Sequence, residues 1–362
     1  MAAKKIETVD VAKGLGILLV VFAHICLKEP VLTVIYSFHI PLFFILAGMM
    51  YNSEKYTSFK ALLKSKIKSL GVPYLIFCLI GVLYAVAVTL AECVIHEKTV
   101  SDLWTLLYRC LYSIVWAPYS KRYFGFFNVP MWFVPCLLLV FILYYFVRKF
   151  IKNKWLLAGV AVLITFVGWL SESSLIPVDF SFLPWNFSSA CFAFGFFALG
   201  NLAYPFLKEI LFSMQLNAKR RIALTVAFFL SAALMIPLAL LNGKVSIGSR
   251  ELGNGLLLYA TGILGTAAIL FISKAIGKCR FLEFFGRNSF KVMGIHYVIY
   301  SVLFGLVTRL DGSKASGTVD KYRVNLLYAG VFFLVVTALT AVFVIIYNRI
   351  YQKVSKKNGR TS

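Results

Sequence analysis

The chain has 362 residues, of which 60% are hydrophobic and 14% are charged, and its mean hydropathy is +0.85. Because a soluble globular domain is usually about 45–50% apolar and about 25% charged, this composition excludes the soluble classes of protein. The net charge of +23 does not indicate nucleic-acid binding, since the Lys and Arg residues are concentrated in the connections between apolar runs.

Ten apolar runs reach or approach the roughly 20 residues that cross a bilayer as a helix. No alternating strand pattern is visible, so the predicted fold is an all-α integral membrane protein with about ten transmembrane helices. We assign the whole chain, residues 1–362, to one transmembrane domain without an appended soluble domain. The predicted spans are 11–28, 31–51, 72–95, 130–147, 155–170, 187–206, 222–242, 254–273, 291–309 and 325–348.

Lys and Arg residues are distributed unevenly between the two sides of this arrangement. One side holds 26 of the 37, with Lys13 and Lys291 included, and the other side holds 11. Because positively charged connections remain in the cytoplasm, both termini are predicted to be cytoplasmic. The connections on that side are 1–10, 52–71, 148–154, 207–221, 274–290 and the tail from Arg349.

Two long connections fall on the opposite side. Residues 96–129 are rich in aromatic side chains, including Trp104 and Trp116, and residues 171–186 contain no Lys or Arg. We interpret both as loops. Such loops line a site for a sugar or a lipid-linked substrate, or they form an interfacial aromatic belt, and the sequence leaves both alternatives open.

The seven cysteines show no CxxC spacing, and most of them lie within apolar runs. A disulfide framework is therefore not predicted. Cys93 and Cys110, which flank or lie in the same outer connection, are the one candidate pair for a disulfide, and their spacing does not require one.

The first span carries three ionisable side chains on one helix face. Lys13 and His24 are 11 residues apart, which places them about 20° apart around the helix and roughly 16 Å apart along it. Asp10 lies about 40° to the other side of the same stripe and can pair with Lys13 at i and i+3. Ionisable groups inside spans tend to be functional, although a wet helix end also tolerates both charges, and a His bonded to a neighbouring helix can be purely structural.

The second span begins after a turn at Pro30 and contains His39. The two spans should be antiparallel neighbours, which brings His24 and His39 within roughly 5 Å of each other in depth. Two imidazoles that open onto one cavity can share acid, base and positioning work near neutral pH. His296 lies in the ninth span, and His96 is expected to be solvated.

The predicted connection 52–71 is rich in lysine. Lys64 and Lys68 fall on one helix face at i and i+4, immediately before the third span. Such a cluster can bind anionic headgroups or the phosphates of a cytosolic cofactor, and the residues alone favour the lipid-binding or topogenic role. The lysines are Lys55, Lys60, Lys64, Lys66 and Lys68.

The stretch from Asp10 to His24 resembles the signature of the membrane acyltransferase family 3, in which an Arg or Lys is followed by ten residues and then a His. Lys13 and His24 have this spacing, with an acidic residue three positions before the basic one. Later stretches resemble further elements of the family in the same order. They are Phe38-His39-x-Pro41 with Ala47-Gly48, Lys64–Lys68 with Pro73-Tyr74, Trp132-Phe133, and Gly286-Arg287-Asn288-Ser289 with His296.

Two positions depart from the family pattern. Lys13 replaces the commoner Arg, as in the branch that resembles fucose 4-O-acetylases. Ala47 stands where Ser is usual, which argues against a serine nucleophile at this position.

The resemblance implies an O-acyltransferase of the bacterial cytoplasmic (inner) membrane. It implies that acetyl-CoA in the cytosol supplies an acetyl group to a sugar hydroxyl on a cell-surface polysaccharide or on a lipid-linked glycan precursor. Membrane lipids would surround the protein, and neither a metal ion nor nucleic acid is expected to bind. The acceptor sugar, the acyl chain and the oligomeric state stay open.

The resemblance also implies roles for individual residues. His24 would be the general base or would carry an acyl relay, with Lys13 and Asp10 completing the catalytic group. The residues implied in cofactor binding are Lys13, Lys64, Lys66, Lys68 and Arg287. The residues implied in the substrate pocket are His39, Trp132, Ser289 and His296.

A transporter or flippase of a glycan or small solute is the alternative, with the intramembrane histidines as proton relays. A membrane sensor or assembly module with structural charges is a third possibility. The Lys-x10-His element beside a basic cytoplasmic connection favours the enzyme, because that arrangement suits an anionic cytosolic donor.

Overall fold

The computed structural model describes residues 2–96, 100–117, 128–171, 180, 182–310 and 324–357. Within these ranges the regular structure is helical, apart from an isolated antiparallel bridge between Ser246 and Glu251. The helices are α1 (Ala2–Ile25), α2 (Glu29–Tyr36), α3 (His39–Met49), α4 (Phe59–Lys66), α5 (Val72–His96), α6 (Val100–Trp116), α7 (Phe133–Phe150), α8 (Lys154–Leu170), α9 (Phe187–Lys208), α10 (Ala218–Asn242), α11 (Gly255–Ile276), α12 (Arg280–Arg287), α13 (Ser289–Leu310) and α14 (Leu326–Lys357).

The all-α fold and the predicted spans agree with this helix order. In the part of the chain that is described, nine helical stretches are long and apolar enough to cross a membrane, and α8 is a shorter apolar helix. Each of the ten predicted spans coincides with one of these ten stretches. The prediction of an all-α membrane protein is therefore confirmed, and the cytoplasmic position of the termini stays a prediction.

The second span is divided into two helices. Helix α2 ends at Tyr36, and α3 begins at His39 after Phe38 leaves the helical conformation with φ −139°. Ser37 bonds back to the carbonyl of Val34 at 2.8 Å, which closes the end of α2. The division places His39 at the first turn of a helix rather than in the middle of one.

The prediction that residues 96–129 form a loop is wrong for their first half, which contains α6. This helix packs antiparallel to α5, and the Tyr74 hydroxyl donates to the carbonyl of Ile114 at 2.9 Å. Its opposite face exposes Trp104 and Tyr108 together with further apolar side chains at helical spacing. The aromatic richness of the segment therefore reflects an amphipathic helix. Residues 118–127 and 172–179, in the two predicted outer connections, lie outside the described ranges.

The connections predicted as 52–71 and 274–290 also contain short helices. The first holds α4, followed by a π-helical turn over Ile67–Gly71, and the second holds α12. All seven cysteines are free thiols, including Cys93 and Cys110, as the absence of paired spacing predicted.

Helices α1 and α12 are in backbone contact. A side chain at Gly14 would overlap the backbone of Leu282, and a side chain at Gly286 would overlap the backbone of Asp10. Only glycine permits this approach, so the start of α1 is fixed against the segment that leads into α13.

The loop 243–254, between α10 and α11, is fixed by its own backbone hydrogen bonds and by contacts with α9 and α2. The backbones of Ser246 and Glu251 exchange two hydrogen bonds of 2.6 and 3.0 Å. The Ser189 hydroxyl of α9 donates to the carbonyl of Ile247 at 2.7 Å. Lys244 forms a 3.0 Å ion pair with Glu29 at the start of α2.

Candidate active site

A cavity of about 720 Å³ lies inside the helix bundle. It is lined by residues of α1, α2, α3, α7 and α13, of the segment 66–70 and of the loop 243–254. Six of the predicted site residues line it, namely Lys13, His24, His39, Lys66, Trp132 and Ser289. The other five, Asp10, Lys64, Lys68, Arg287 and His296, do not line it.

The cavity follows α1 from Lys13 to His24, a rise of roughly 16 Å. Along α3, which runs the opposite way, it extends from His39 to Met50, which is the same number of residues. His24 and His39 therefore mark one end, and Lys13 marks the other. We call these the loop end, after the loop 243–254, and the Lys13 end.

The Lys13 end carries two cations and two hydroxyls. Lys13 and Lys66 line it together with Ser69 and Ser289. Among the described residues no carboxylate lies within salt-bridge distance of Lys13. Ser289 begins α13, so the positive end of that helix dipole is directed toward the same region. These groups together favour the binding of an anion at the Lys13 end.

Lys66 is the lysine of this segment that lines the cavity. Its Nζ lies 3.4 Å from the ring centroid of Phe141 and 5.6 Å from that of Tyr56. Lys64, two residues earlier on the same helix, points to the opposite side, since two residues in an α-helix are about 200° apart. Lys64 and Lys68 are both exposed.

Asp10 pairs with Arg287, whereas the sequence suggested Lys13 as its partner. The Arg287 Nε donates to the Asp10 carboxylate at 2.9 Å, and its NH2 group donates to Glu283 at 2.7 Å. The hydrogen bond to Asp10 raises the pKa of Arg287 above its ordinary value. Asp10 and Glu283 are buried, while Arg287 is 58% exposed, so this ion pair fastens α12 to α1 from outside the cavity.

His24 has two aromatic neighbours on α13. The ring centroid of His296 lies 5.3 Å from that of His24, and Tyr297 meets His24 edge-on at 5.6 Å. His296 is fully buried, and its Nδ1 is 2.9 Å from the carbonyl of Val292. Because a carbonyl only accepts, Nδ1 carries the hydrogen and Nε2 keeps its lone pair. This buried Nε2 has no hydrogen-bond partner among the residues that the structure describes.

His39 opens onto the same cavity as His24, as the sequence predicted for the pair. Its Nδ1 is 2.8 Å from the carbonyl of Ile35, and its ring meets Tyr36 at a centroid distance of 4.9 Å. The division between α2 and α3 makes this carbonyl available, and the resulting bond fixes the ring of His39 at the cavity wall.

The loop end is lined by polar groups of loop 243–254 and by one indole ring. Trp132 lies against Gly248 so closely that a side chain at that position would overlap the indole. The carboxylate of Glu251 and the hydroxyl of Ser249 line the same region. The sequence analysis did not identify loop 243–254 as part of the site. The one feature that could have identified it is its polar run GKVSIGSRE between two apolar spans.

The fold and the cavity define a multi-span helical membrane protein whose internal cavity is lined by two lysines at one end and two histidines at the other. A family model described as an acyltransferase domain matches residues 6–347. The chain therefore belongs to the acyltransferase 3 family. No curated protein and no solved structure matches the chain significantly. Family membership supports membrane acyltransferase activity.

Proposed function

We propose that the protein is an O-acetyltransferase of a bacterial cytoplasmic membrane, similar to the fucose 4-O-acetylases. Acetyl-CoA from the cytosol is the donor, and a sugar hydroxyl of a cell-surface polysaccharide or lipid-linked glycan precursor is the acceptor. One observation carries the proposal. One cavity is lined at one end by Lys13, which forms no salt bridge with any described residue, and at the other end by a histidine about 16 Å away.

This separation matches the length of the donor. The pantetheine arm of CoA, from its phosphate oxygen to its sulfur, is about as long as four extended residues, or roughly 14 Å. Phosphates held by Lys13 and Lys66 at the Lys13 end would therefore bring the thioester close to His24. Charge-assisted bonds to these lysines are stronger than bonds between neutral groups. The exposed Lys64 and Lys68 add positive potential at the approach.

His24 acts as the general base. It takes the proton of the acceptor hydroxyl as that oxygen attacks the thioester carbonyl, and the proton then passes to the sulfur when the C–S bond breaks. The same imidazole could accept the acyl group itself in a relay, with a second transfer to the sugar. Both routes require the acceptor to enter from the loop end.

The residues around His24 stabilise its protonated form and shape the pocket. The His296 ring lies 5.3 Å from the His24 ring, centroid to centroid, and its buried Nε2 has no hydrogen-bond partner among the described residues. We propose that this nitrogen stabilises the imidazolium that forms when His24 takes the proton. Asp10 acts at a distance, through Arg287 and the contact between α1 and α12. His39, Trp132 and Ser289 shape the pocket.

The test uses purified protein in lipid, radiolabelled acetyl-CoA and an envelope glycan extract. The His24→Ala variant should lose transfer by about 10²–10⁴-fold, because a positioned base contributes that factor. It should still insert and fold, with an unchanged melting temperature of the helical signal. Normal product formation by this variant would remove His24 from the mechanism.

A transporter or flippase is the second candidate, and the His24–His296 pair inside the bundle favours it as a proton relay. It predicts solute movement coupled to a proton gradient without consumption of acyl-CoA. If the protein moves a glycan across the membrane and releases no free CoA thiol, the transporter is the correct function and the acetyltransferase is not.

A further inference from the structure

We propose that the loop end of the cavity is a glycosyl-binding subsite that selects acceptors by charge, accepting neutral or amino sugars and rejecting sugars that carry a carboxylate or phosphate. The inference rests on the proposed function for the identity of the acceptor. It adds the residues that hold the acceptor and the charge class that they admit.

The wall of the subsite is aromatic on one side. The Trp132 indole lines the cavity and is fixed by its contact with Gly248, where no other residue fits without displacing it. An indole face offers a flat apolar surface to the C–H face of a pyranose ring, while its N–H offers one donor. A platform held from behind by the backbone loses little side-chain entropy when a ring binds.

The loop that packs against this indole also carries hydrogen-bonding groups. In the described part of the chain, the Glu251 carboxylate and the hydroxyl of Ser249 make no hydrogen bond or ion pair. The Trp132 Nε1–H is likewise without a partner there. Both side chains of the loop line the cavity. An acceptor, two donors and an aromatic face together suit a polyhydroxylated ring.

The two ends of the cavity differ in charge. The Lys13 end is lined by Lys13 and Lys66 and by no carboxylate among the described residues, which favours an anionic donor. At the loop end, Lys244 forms a 3.0 Å ion pair with Glu29 and the Arg250 guanidinium donates to the carbonyl of Ser171, while Glu251 forms no ion pair with any described residue. A carboxylate or phosphate on the acceptor would face Glu251 and be repelled, whereas a hydroxyl or ammonium would be bound.

The loop that carries these groups is preorganised. The backbone bonds between Ser246 and Glu251 and the bond from Ser189 to Ile247 fix its path. Ser246 Oγ also accepts from the backbone N–H of Ser249 at 3.1 Å. The backbone of Glu251 is therefore positioned before the acceptor arrives.

The experiment measures binding as well as transfer, using full-length protein in nanodiscs. The probes are cellohexaose, its C6-oxidised counterpart and its 6-amino-6-deoxy counterpart, which share one backbone and differ in charge at one position. The intact protein should bind the amino and neutral probes at least tenfold more tightly than the oxidised probe. Glu251→Gln should reduce this preference about tenfold, and Glu251→Lys should reverse it.

The matched control is Glu54→Gln, which removes an exposed carboxylate from the turn Ser53–Lys55 outside the cavity lining. It should leave the order of the three probes unchanged. Equal binding of the neutral and oxidised probes by the intact protein, or no binding of any probe, would overturn the subsite. An unchanged preference in both Glu251 variants would do the same.

Binding and transfer separate the two proposals. If the charge preference in binding is found but no acyl-CoA is consumed with any probe, the subsite stands and the acetyltransferase proposal fails. If acetyl transfer occurs at equal rates to neutral and oxidised acceptors, the acetyltransferase stands and the charge selection fails.

Discussion

The two ends of the cavity are built in different ways. The Lys13 end is fixed by backbone contact, with Gly14 and Gly286 allowing α1 and α12 to touch. The loop end is fixed by hydrogen bonds and one ion pair that hold loop 243–254 against α9 and α2. The first construction admits almost no substitution, whereas the second can be altered one bond at a time.

The largest effect is expected from breaking the backbone contact at the Lys13 end. Gly286→Val would force α12 away from Asp10, at a cost of about 3 kcal/mol or more, because the backbone cannot yield as a side chain would. We expect a large fall in melting temperature and in yield. Gly159→Val is the matched control, since no atom lies within 4 Å of a side chain at that position. Equal melting temperatures of the two variants would contradict the backbone contact between Gly286 and Asp10.

The second largest effect is expected at Lys13 and tests whether the donor binds at the Lys13 end. Lys13→Met should raise the KM for acetyl-CoA by about 10–100-fold, since a charge-assisted bond to phosphate contributes about 1.5–3 kcal/mol. The KM for the glycan should stay constant. Lys219→Met removes an exposed lysine outside the cavity and serves as the control. A rise in the glycan KM alone would place the donor at the other end.

A smaller effect is expected at the histidine pair. His296→Asn should lower kcat about tenfold without changing the KM for acetyl-CoA, because His296 acts on His24 and not on the donor. The dependence of kcat on pH should shift as well, since the imidazolium of His24 loses a neighbouring acceptor. An unchanged pH profile with a lower melting temperature would indicate a purely structural role.

The smallest effect is expected from loosening the loop end. Ser189→Ala removes one hydrogen bond to Ile247, which contributes about 1 kcal/mol. We expect the KM for the glycan to rise about two- to fivefold while the KM for acetyl-CoA stays constant. Thr225→Ala removes a bond to the carbonyl of Arg221 within one exposed helix face and is the control. A change in the acetyl-CoA KM would show that the two ends are not independent.

Much of the fold follows from hydropathy alone, because crossing a bilayer requires long apolar helices. Hydropathy did not predict the helices in which apolar and polar residues alternate at helical spacing. Helix α6 has an amphipathic pattern that resembles an aromatic loop, and α12 is too short for a span. Hydropathy also could not find the break before His39, since both halves of that span are apolar.

The site was predictable where one helix carries the pattern and unpredictable where several segments meet. Lys13 and His24 share a face of α1, so their common cavity follows from spacing. The pairing of Asp10 with Arg287 joins residues far apart in the chain and needs the contact between α1 and α12. The contribution of loop 243–254 depends on how α9 and α2 hold it, which periodicity does not encode. The chemical roles of all these residues stay predictions.

Helix α8 has a consequence for the surrounding membrane. Its 17 residues span about 26 Å, which is less than the roughly 30 Å of hydrocarbon in a typical bilayer. Asn153 caps its start by accepting from two backbone N–H groups, so the helix cannot simply lengthen by a turn. Trp155 and much of its outer face are exposed on the surface of the bundle. A span of this length is accommodated by a locally thinner bilayer or by flanking polar groups that reach the interface, so we expect membranes with short acyl chains to accommodate this protein at the lowest cost.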